Sequence, residues 1–372
     1  MPKPLLLPIA LILTLAPAHT VDRAVLLTLP AAQLTVHPER HQLVLELAPV
    51  DLPAGGAHHG AGHHGMMGLP PVALAEMPFD AAIHAFRVEL VDAAGQPLPI
   101  ELLHHFNVVD PDHRELFLPI SRRMLAAGKE TGEMRLPWLL FGSTVRQGTR
   151  LVANAMLHNP TDIDYRAVRA RAVIEYVPAG RPWPLFQGYP FQLDVLFPWG
   201  DKSFDLPPGP SSRSFEASPM LSGVVVGIGG HVHEHATRIA FENATTGEVI
   251  WEAAPVLDST GAVVGVPVGR LYSWTRLGAR IDPAQRYRVT VQYHNPTGDT
   301  IPAGGMGVVG GLFVPDDPAR WPVADTTDAL YRNDLRHYLR LLPAQRAMVA
   351  AASTGVGSAP VPAPAPAHTH HH

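Results

Sequence analysis

The sequence predicts an all-β fold of two jelly-roll-like, antiparallel β-sandwich domains with one C-terminal helix. Proline contributes 39 of the 372 residues, about twice its average share, which disfavours helical bundles and favours short strands joined by turns. Apolar residues make up 46% of the chain and charged residues 16%, so the chain can build hydrophobic cores. The net charge of −5 provides no basic surface for nucleic acid.

The first element along the chain is a secretory signal peptide over residues 1–18. Lys3 supplies the positive start, an apolar stretch follows, and Ala16-Pro17-Ala18 forms a small-residue cleavage site. Cleavage there makes His19 the new N-terminus. Since no later segment has about 18 uninterrupted apolar residues, we expect a secreted or periplasmic protein with no transmembrane segment.

Short runs rich in Val, Ile, Leu and aromatic residues, separated by turn signals, predict the strands. These runs are residues 43–47, 85–91, 150–157, 167–176, 223–229, 237–241, 286–293 and 308–314. We expect them to form an N-terminal sandwich over 19–199 and a C-terminal sandwich over 215–324, joined by a proline-rich linker at 200–214.

A helix is expected over residues 325–350, where apolar side chains that include Tyr331 and Leu335 recur at helical spacing. We expect this face to pack on the second sandwich. We expect residues 351–372 to form a flexible Pro/Ala/His tail, whose terminal histidines, His368 and those at 370–372, are either natural or an added tag.

The chain has no cysteine and 21 histidines. The missing cysteines exclude disulfides, cysteine-ligated zinc, iron–sulfur clusters and a thiol nucleophile, so histidine is the obvious metal ligand. The loop at 54–69 mixes imidazole with soft sulfur, which suits copper. We expect it to collect metal weakly through His58, His59, His63, His64, Met66 and Met67.

A histidine pattern occurs twice in the body of the chain. His104 and His105 are followed later by His158-Asn159-Pro160-Thr161, and His231 and His233 are followed later by His294-Asn295-Pro296-Thr297. This duplication predicts two similar domains, each with one metal site built from separate strands.

The spacing within each pair constrains how it can bind. His231 and His233 alternate on a strand, so their side chains share a face, and His235 continues the alternation as a third ligand or as a group behind the ligands. His104 and His105 are adjacent, so both can bind one ion only where the strand twists or ends. Otherwise one of these two is buried and the other exposed.

Three further residues are candidate ligands with structural alternatives. Met306 lies between glycines, and its thioether is a good copper ligand and a poor zinc ligand, although methionine also commonly fills cores. His158 and His294 each precede Asn-Pro and either bind metal or cap a turn.

In this order, the residues resemble the copper type II, ascorbate-dependent monooxygenases, the family of peptidylglycine α-hydroxylating and dopamine β-monooxygenase. Residues 103–106 resemble the paired-histidine strand of that family, residues 152–158 resemble the strand that delivers the third histidine, and residues 231–235 resemble the segment at the second copper. Met306 stands at the methionine-ligand position. The resemblance covers about residues 84–315 and identifies the chain as a divergent, bacterial member.

The resemblance implies two copper ions facing across a solvent-filled cleft. The first, an electron-transfer copper, would be held by His104, His105 and His158. The second, at the catalytic site, would bind O₂ and take hydrogen from a substrate carbon, held by His231, His233 and Met306. A small-molecule or peptide substrate and an electron donor such as ascorbate are the implied partners.

Two departures from the family pattern leave alternatives open. His294 has no counterpart there and could replace Met306 at the second copper. The family members that amidate peptides grip their substrate with an arginine and a tyrosine at positions held here by Gly229 and Gly310, which argues against peptidylglycine as the substrate. The alternatives are a non-catalytic, exported copper-binding or copper-handling protein, and another metal enzyme such as a hydrolase or cupin.

Overall fold

The computed structural model describes Leu26 and residues 29–55, 71–129, 131–197, 202–259 and 262–339. The expected signal peptide, His19, the histidines and methionines of the loop at 54–69, and the C-terminal tail lie outside the described residues. Within them, short strands form mainly antiparallel sheets and a helix follows the last strand, which confirms the predicted all-β fold class.

The first half of the chain folds into two sheets. Its strands are β1 (Gln33–His37), β2 (Gln42–Glu46), β3 (Val50–Leu52), β4 (Val72–Glu76), β5 (Ala81–Val91), β6 (Leu103–Arg114), β7 (Ser121–Ala127), β8 (Met134–Arg135), β9 (Phe141–Val145), β10 (Arg150–Leu157), β11 (Tyr165–Pro178) and β12 (Phe186–Gln187). One sheet has the order β1-β2-β11-β5-β9-β12, with β3 on β11 and β8 on β5, and the other has the order β4-β10-β6-β7.

The second half repeats the two-sheet arrangement. Its strands are β13 (Tyr189–Asp194), β14 (Phe204–Leu206), β15 (Gly209–Ala217), β16 (Gly223–Val232), β17 (Ala236–Asn243), β18 (Glu248–Ala253), β19 (Val256–Leu257), β20 (Val263–Gly265), β21 (Gly269–Arg270), β22 (Ala279–Ile281), β23 (Tyr287–Asn295), β24 (Ile301–Gly305) and β25 (Gly307–Pro315). One sheet has the order β13-β25-β16-β21, with β22 on β16, and the other β15-β23-β17-β18. The pairs β14-β24 and β19-β20 complete the half. Helix α1 (Ala329–Leu339) follows.

Each predicted strand coincides with an observed one, because the apolar residues alternate with the pleat. On β10, Leu151 and Leu157 are buried in the first core, whereas Asn154 and Met156 on the other face are only half-buried. On β23 the buried residues of the second core include Tyr293. This alternation determines which faces of the sheets remain available for polar side chains.

The boundary between the halves differs from the predicted linker. Residues 202–214 contain β14 and the start of β15, so this segment is largely extended and hydrogen-bonded. Strand β13 lies within residues 19–199 but pairs with β25 of the second half. Proline in this segment is tolerated because Pro207 lies between β14 and β15, and Pro210 lies near the start of β15 on the edge of its sheet.

The loop between β6 and β7 reaches from the first half into the second core. Leu116, Leu118 and Ile120 are each at most 1% exposed and pack among residues of the second half. Phe117 contacts three aromatic rings there, including that of Phe191 at a 5.7 Å centroid separation and that of Phe241 at 6.1 Å. The first half therefore contributes apolar side chains to the second core.

The chain after β25 returns to the first half. The indole of Trp321 donates to the carbonyl of Arg114 at 2.9 Å, and Tyr331 of α1 donates its hydroxyl to the carbonyl of Pro111 at 2.9 Å. Arg123 and Asp334 form a two-pronged, buried ion pair at 2.8 and 3.0 Å. The expected packing of the helix on the second sandwich is therefore wrong: these contacts fix α1 to strands β6 and β7.

Among the described residues, no helix is both long enough and apolar enough to span a bilayer.

Candidate metal centre

A β-bulge brings the adjacent histidines of the first half to one side of their sheet. On β6 and β10, His105 lies opposite Met156 while Leu103 lies opposite Leu157, so His104 is an extra residue without a partner in the register. Such a bulge breaks the strict alternation of side chains. The rings of His104 and His105 are 4.0 Å apart, edge to face, as the prediction of a strand irregularity requires.

The second pair lies at the end of β16 on the face turned away from the second core. Val232 is buried in that core, so His231 and His233 project to the opposite face, with ring centroids 5.5 Å apart. Gly229 and Gly310, the positions that depart from the family pattern, are direct cross-strand partners on this same face. These two positions beside His231 therefore carry no side chain, while its direct cross-strand partner on β25 is Val308.

The two pairs meet. The ring of His105 is 5.4 Å from that of His231, and the ring of His104 is 6.4 Å from that of His233. Four imidazoles from both halves thus form one cluster, which we call the histidine cluster (His104, His105, His231 and His233). The sequence predicted the two pairs but placed them across a solvent-filled cleft, whereas the rings are in contact.

These separations lie near the range expected for imidazoles that share one metal ion, but not within it. Two imidazoles on one ion, each with its nitrogen about 2.0–2.1 Å from the metal, have ring centres about 4.5–5.2 Å apart. The values of 5.4 and 5.5 Å are close to this range, 4.0 Å lies below it and 6.4 Å above it.

The rings are not yet arranged as ligands. As they stand, no three His, Asp or Glu side chains in the described part of the chain are gathered to hold a metal ion. The four ring pairs are packed edge to face, at interplanar angles of 74–89°. Metal binding therefore requires these rings to turn, and the torsion that orients a histidine ring is soft.

Tyr293 positions the second pair relative to Met306. Its hydroxyl accepts hydrogen bonds from the backbone N–H of His233 at 3.1 Å and of Met306 at 2.9 Å, and donates to the carbonyl of Met306. Burial raises the pKa of Tyr293 to about 12, so the phenol remains a donor at neutral pH. Because they share this oxygen, the two backbone nitrogens lie within about 6 Å of each other.

Met306 and His294 occupy different faces. Met306 immediately precedes Gly307, which pairs with Val232, so it continues the row that contains His233. His294 is exposed and alternates with buried Tyr293 on β23, so it projects away from the second core on the opposite sheet. This arrangement places the methionine, and not His294, beside the histidine cluster.

The glycines beside Met306 face side chains of the second core. A Cβ on Gly305 would lie 2.3 Å from the ring of Phe204, and one on Gly307 would lie 2.7 Å from Val291. These glycines therefore admit core side chains. His235, expected as a third ligand or a group behind the ligands, adopts a positive φ of 70° in the turn after the pair, and its carbonyl accepts from the N–H of His294.

The duplicated His-Asn-Pro-Thr motifs form the same turn in both halves. The amide of Asn159 donates to the carbonyls of Leu52 and Ile163, and its oxygen accepts from Thr161. Asn295 makes the equivalent bonds to Leu206, Asp299 and Thr297. Both asparagines are buried, so asparagine is the residue that the turn itself requires.

His158 precedes the first of these turns and is exposed. Its N–H donates to the carbonyl of Leu102 at 2.9 Å, directly beside the bulged pair. By alternation on β10 it lies on the same face as Met156, which faces His105 across the strands. The sequence analysis did not identify Met156 or Tyr293. The same-face spacing of Met156 and His158 was the available signal for the methionine.

Comparisons with known proteins give only distant structural neighbours. No protein-family model and no curated protein matches this sequence. The major capsid protein P2 of bacteriophage PM2 aligns over 72% of this chain and 98% of its own, with a TM-score of 0.32 and 10% identity. A protein from Sulfolobus turreted icosahedral virus aligns over 87% of this chain and 96% of its own, with a TM-score of 0.33 and 11% identity. PNGF-II aligns over 72% of this chain and 65% of its own, with a TM-score of 0.33 and 8% identity. Similarities this weak carry no argument about function.

Proposed function

We propose that the protein is an exported copper protein that uses two copper ions, O₂ and a one-electron reductant to hydroxylate a C–H bond of a small-molecule or peptide substrate. The observation that carries the proposal is the histidine cluster, in which one pair from each half meets at ring separations of 4.0–6.4 Å. A folded chain that brings four imidazoles together without a carboxylate between them has the donor set of a transition-metal site.

The donors favour copper over zinc. Imidazole suits both metals, but thioether sulfur is soft and selects Cu(I), and Met306 lies beside His233 through the shared hydroxyl of Tyr293. In the proposed site His104, His105 and His158 hold one ion, and His231, His233 and Met306 hold the other. Bound copper would supply the one-electron chemistry that activates O₂, and these side chains would hold it.

Two glycines beside the second pair bear on the identity of the substrate. Gly229 and Gly310 face each other there and supply neither a cation nor a phenol at the positions where the peptide-amidating members carry an arginine and a tyrosine. The nearest arginine on the neighbouring strand, Arg270, is exposed and is the cross-strand partner of Gly227. The two glycine positions therefore support a substrate other than peptidylglycine.

A second candidate is a non-catalytic copper-handling protein. The observation in its favour is the direct contact between His105 and His231, at 5.4 Å between ring centres, because it joins one imidazole of each half. The same contact allows a single ion to be shared by the two halves.

Copper stoichiometry tests the binding proposal. The full chain, with its tail histidines replaced and washed with a weak chelator to remove loosely held metal, is expected to retain two coppers. His105→Ala and His233→Ala should each lose one copper, whereas His37→Ala, which changes a histidine on β1, should lose none. Copper retention by both cluster variants equal to that of His37→Ala would refute the proposal, and a single copper per chain would refute the two-ion form.

Turnover separates the enzyme from the carrier. Copper-loaded protein is expected to consume O₂ with ascorbate and a suitable C–H substrate, and His233→Ala should abolish this consumption. If the protein binds copper tightly and a broad substrate panel gives no substrate-dependent O₂ consumption above that of His233→Ala, the copper-handling function is the correct one.

A further inference from the structure

The side chain of Met156 lies at the position from which it can reach the first histidine pair. Met156 is the direct cross-strand partner of His105, and side chains directly opposite each other in an antiparallel pair have Cβ atoms about 4.5–5.5 Å apart. The next pair on the same face is in side-chain contact, since the amide of Asn107 donates to that of Asn154 at 3.4 Å. On this face of β6 and β10, cross-strand side chains are therefore in contact up to the residue pair next to the histidine cluster.

Met156 is also on the correct face. Its neighbours Ala155 and Leu157 are buried in the first core, so Met156 projects to the opposite side of the sheet and is half-buried there. The bulge at His104 directs both histidines toward that same side. The sulfur of Met156 and the imidazoles of the first pair thus lie on a half-buried surface, where His231 of the second half contacts the first half.

The same arrangement occurs in the second half. Met306 immediately precedes β25, whose Gly307 pairs with Val232 next to His233, and Met156 lies on the strand next to His105. The two methionines come from unrelated places in the histidine pattern, since Met156 precedes a His-Asn-Pro-Thr motif and Met306 follows one. The placement of a methionine beside each histidine pair is therefore a property of the fold, and the repeated histidine pattern does not predict it.

We propose that Met156 is a thioether ligand of the copper at the first histidine pair, so that each half supplies two imidazoles and one methionine to Cu(I). This inference rests on the proposed copper site and extends it to a donor that the sequence pattern does not assign. It makes the first site selective for Cu(I) over Zn²⁺, because thioether is a poor zinc ligand. His158, which is exposed, is then not needed to hold Cu(I).

Metal selectivity of a size-conserving variant tests the proposal. Met156→Leu keeps the volume of the side chain and removes the sulfur. Competition with a Cu(I) chelator is expected to show about tenfold weaker binding at one site, while the Zn²⁺ affinity changes by less than about twofold. The control Met134→Leu changes an exposed methionine on β8 and should alter neither. A merely packing role would change both metals equally or neither, and either result would overturn the proposal.

Copper X-ray absorption gives a second measurement that leaves Met156 unchanged. In Met306→Leu, after the same chelator wash, the total sulfur scattering should fall to about half of that in the unaltered chain, and the remaining half comes from Met156. Adding Met156→Leu should remove it. Loss of all sulfur scattering in Met306→Leu alone would overturn the role of Met156 while leaving the copper proposal intact. Failure of the unaltered chain to retain copper would overturn both.

Discussion

Tyr293 offers a sharp test of how the second histidine pair is positioned. Replacing it with phenylalanine removes one hydroxyl that bonds three backbone groups, the N–H of His233 and both the N–H and carbonyl of Met306. At about 0.5–1.5 kcal/mol for each bond, we expect Tyr293→Phe to lower the free energy of unfolding by about 3 kcal/mol. At about 2 °C for each kcal/mol in a chain of this size, the melting temperature should fall by about 6 °C.

The effect on copper should be specific to the second site. Without the shared hydroxyl, the backbones of His233 and Met306 lose the group that joins them beyond the end of the β16–β25 pairing, and loss of such a supporting group typically costs about 10–100-fold in metal affinity. Copper titration should therefore show one weakened site and one unchanged site.

Tyr287 supplies the matched control. It is buried in the same core, and its hydroxyl accepts from the N–H of Asp282 at 3.0 Å and donates to Gln285 at 2.9 Å. Tyr287→Phe should therefore lower stability by a similar amount, about 2 kcal/mol, and leave copper affinity unchanged. If Tyr293→Phe weakens copper binding no more than Tyr287→Phe does, the reasoning about positioning is wrong.

Three further predictions concern stability. Asn295→Ala should lower the free energy of unfolding by about 3 kcal/mol, because four hydrogen bonds of a buried turn are lost. His294→Ala should change the free energy of unfolding by less than about 0.5 kcal/mol. Equal effects of the two variants in urea unfolding would contradict the role of the asparagine in the turn. Burial raises the pKa of Glu115 from 4.5 to about 7, so the folded state binds this proton more tightly than the unfolded state does. The resulting contribution to the free energy of unfolding, up to about 3 kcal/mol, is fully present below pH 4.5 and is lost as the pH rises to about 7. Glu115→Gln should therefore reduce the dependence of the free energy of unfolding on pH, and a variant whose free energy of unfolding differs between pH 5 and pH 8 as much as that of the unaltered chain would refute this prediction. Asp334→Ala removes the buried carboxylate that pairs with Arg123 and should lower the free energy of unfolding by about 3 kcal/mol or more. Proteolysis at α1 should become faster, and a digestion pattern equal to that of the unaltered chain would contradict this prediction.

The strands were predictable from the sequence because each core face alternates along a single segment. Leu151 and Leu157 on β10, or Tyr287 and Tyr293 on β23, display the pleat without reference to any other part of the chain. The turns were equally local, since Gly95, Gly247 and Gly298 adopt the positive φ values that their turn signals indicate.

The histidine cluster was predictable only in part. The pairs His104–His105 and His231–His233 are visible as sequence patterns, but their contact depends on how two sheets from different halves pack, which no local spacing encodes. The bulge at His104 is likewise a property of the β6–β10 register. In the repeated His-Asn-Pro-Thr motif the histidine was the predicted functional residue. The structure shows that the asparagine stabilises the turn, because its amide donates to carbonyls that would otherwise be buried without a donor.

The exchange of segments between the halves has a consequence for how the protein is made. Phe117 completes the second core, and the first half in turn receives the contacts of Trp321 and Tyr331. A chain that emerges N-terminus first cannot finish its first half until the last strand and the helix have been synthesised. The histidine cluster joins both halves as well, so it can assemble only in a fully translated chain. An incomplete or truncated product would present isolated histidine pairs, and only a finished molecule would contain the complete histidine cluster.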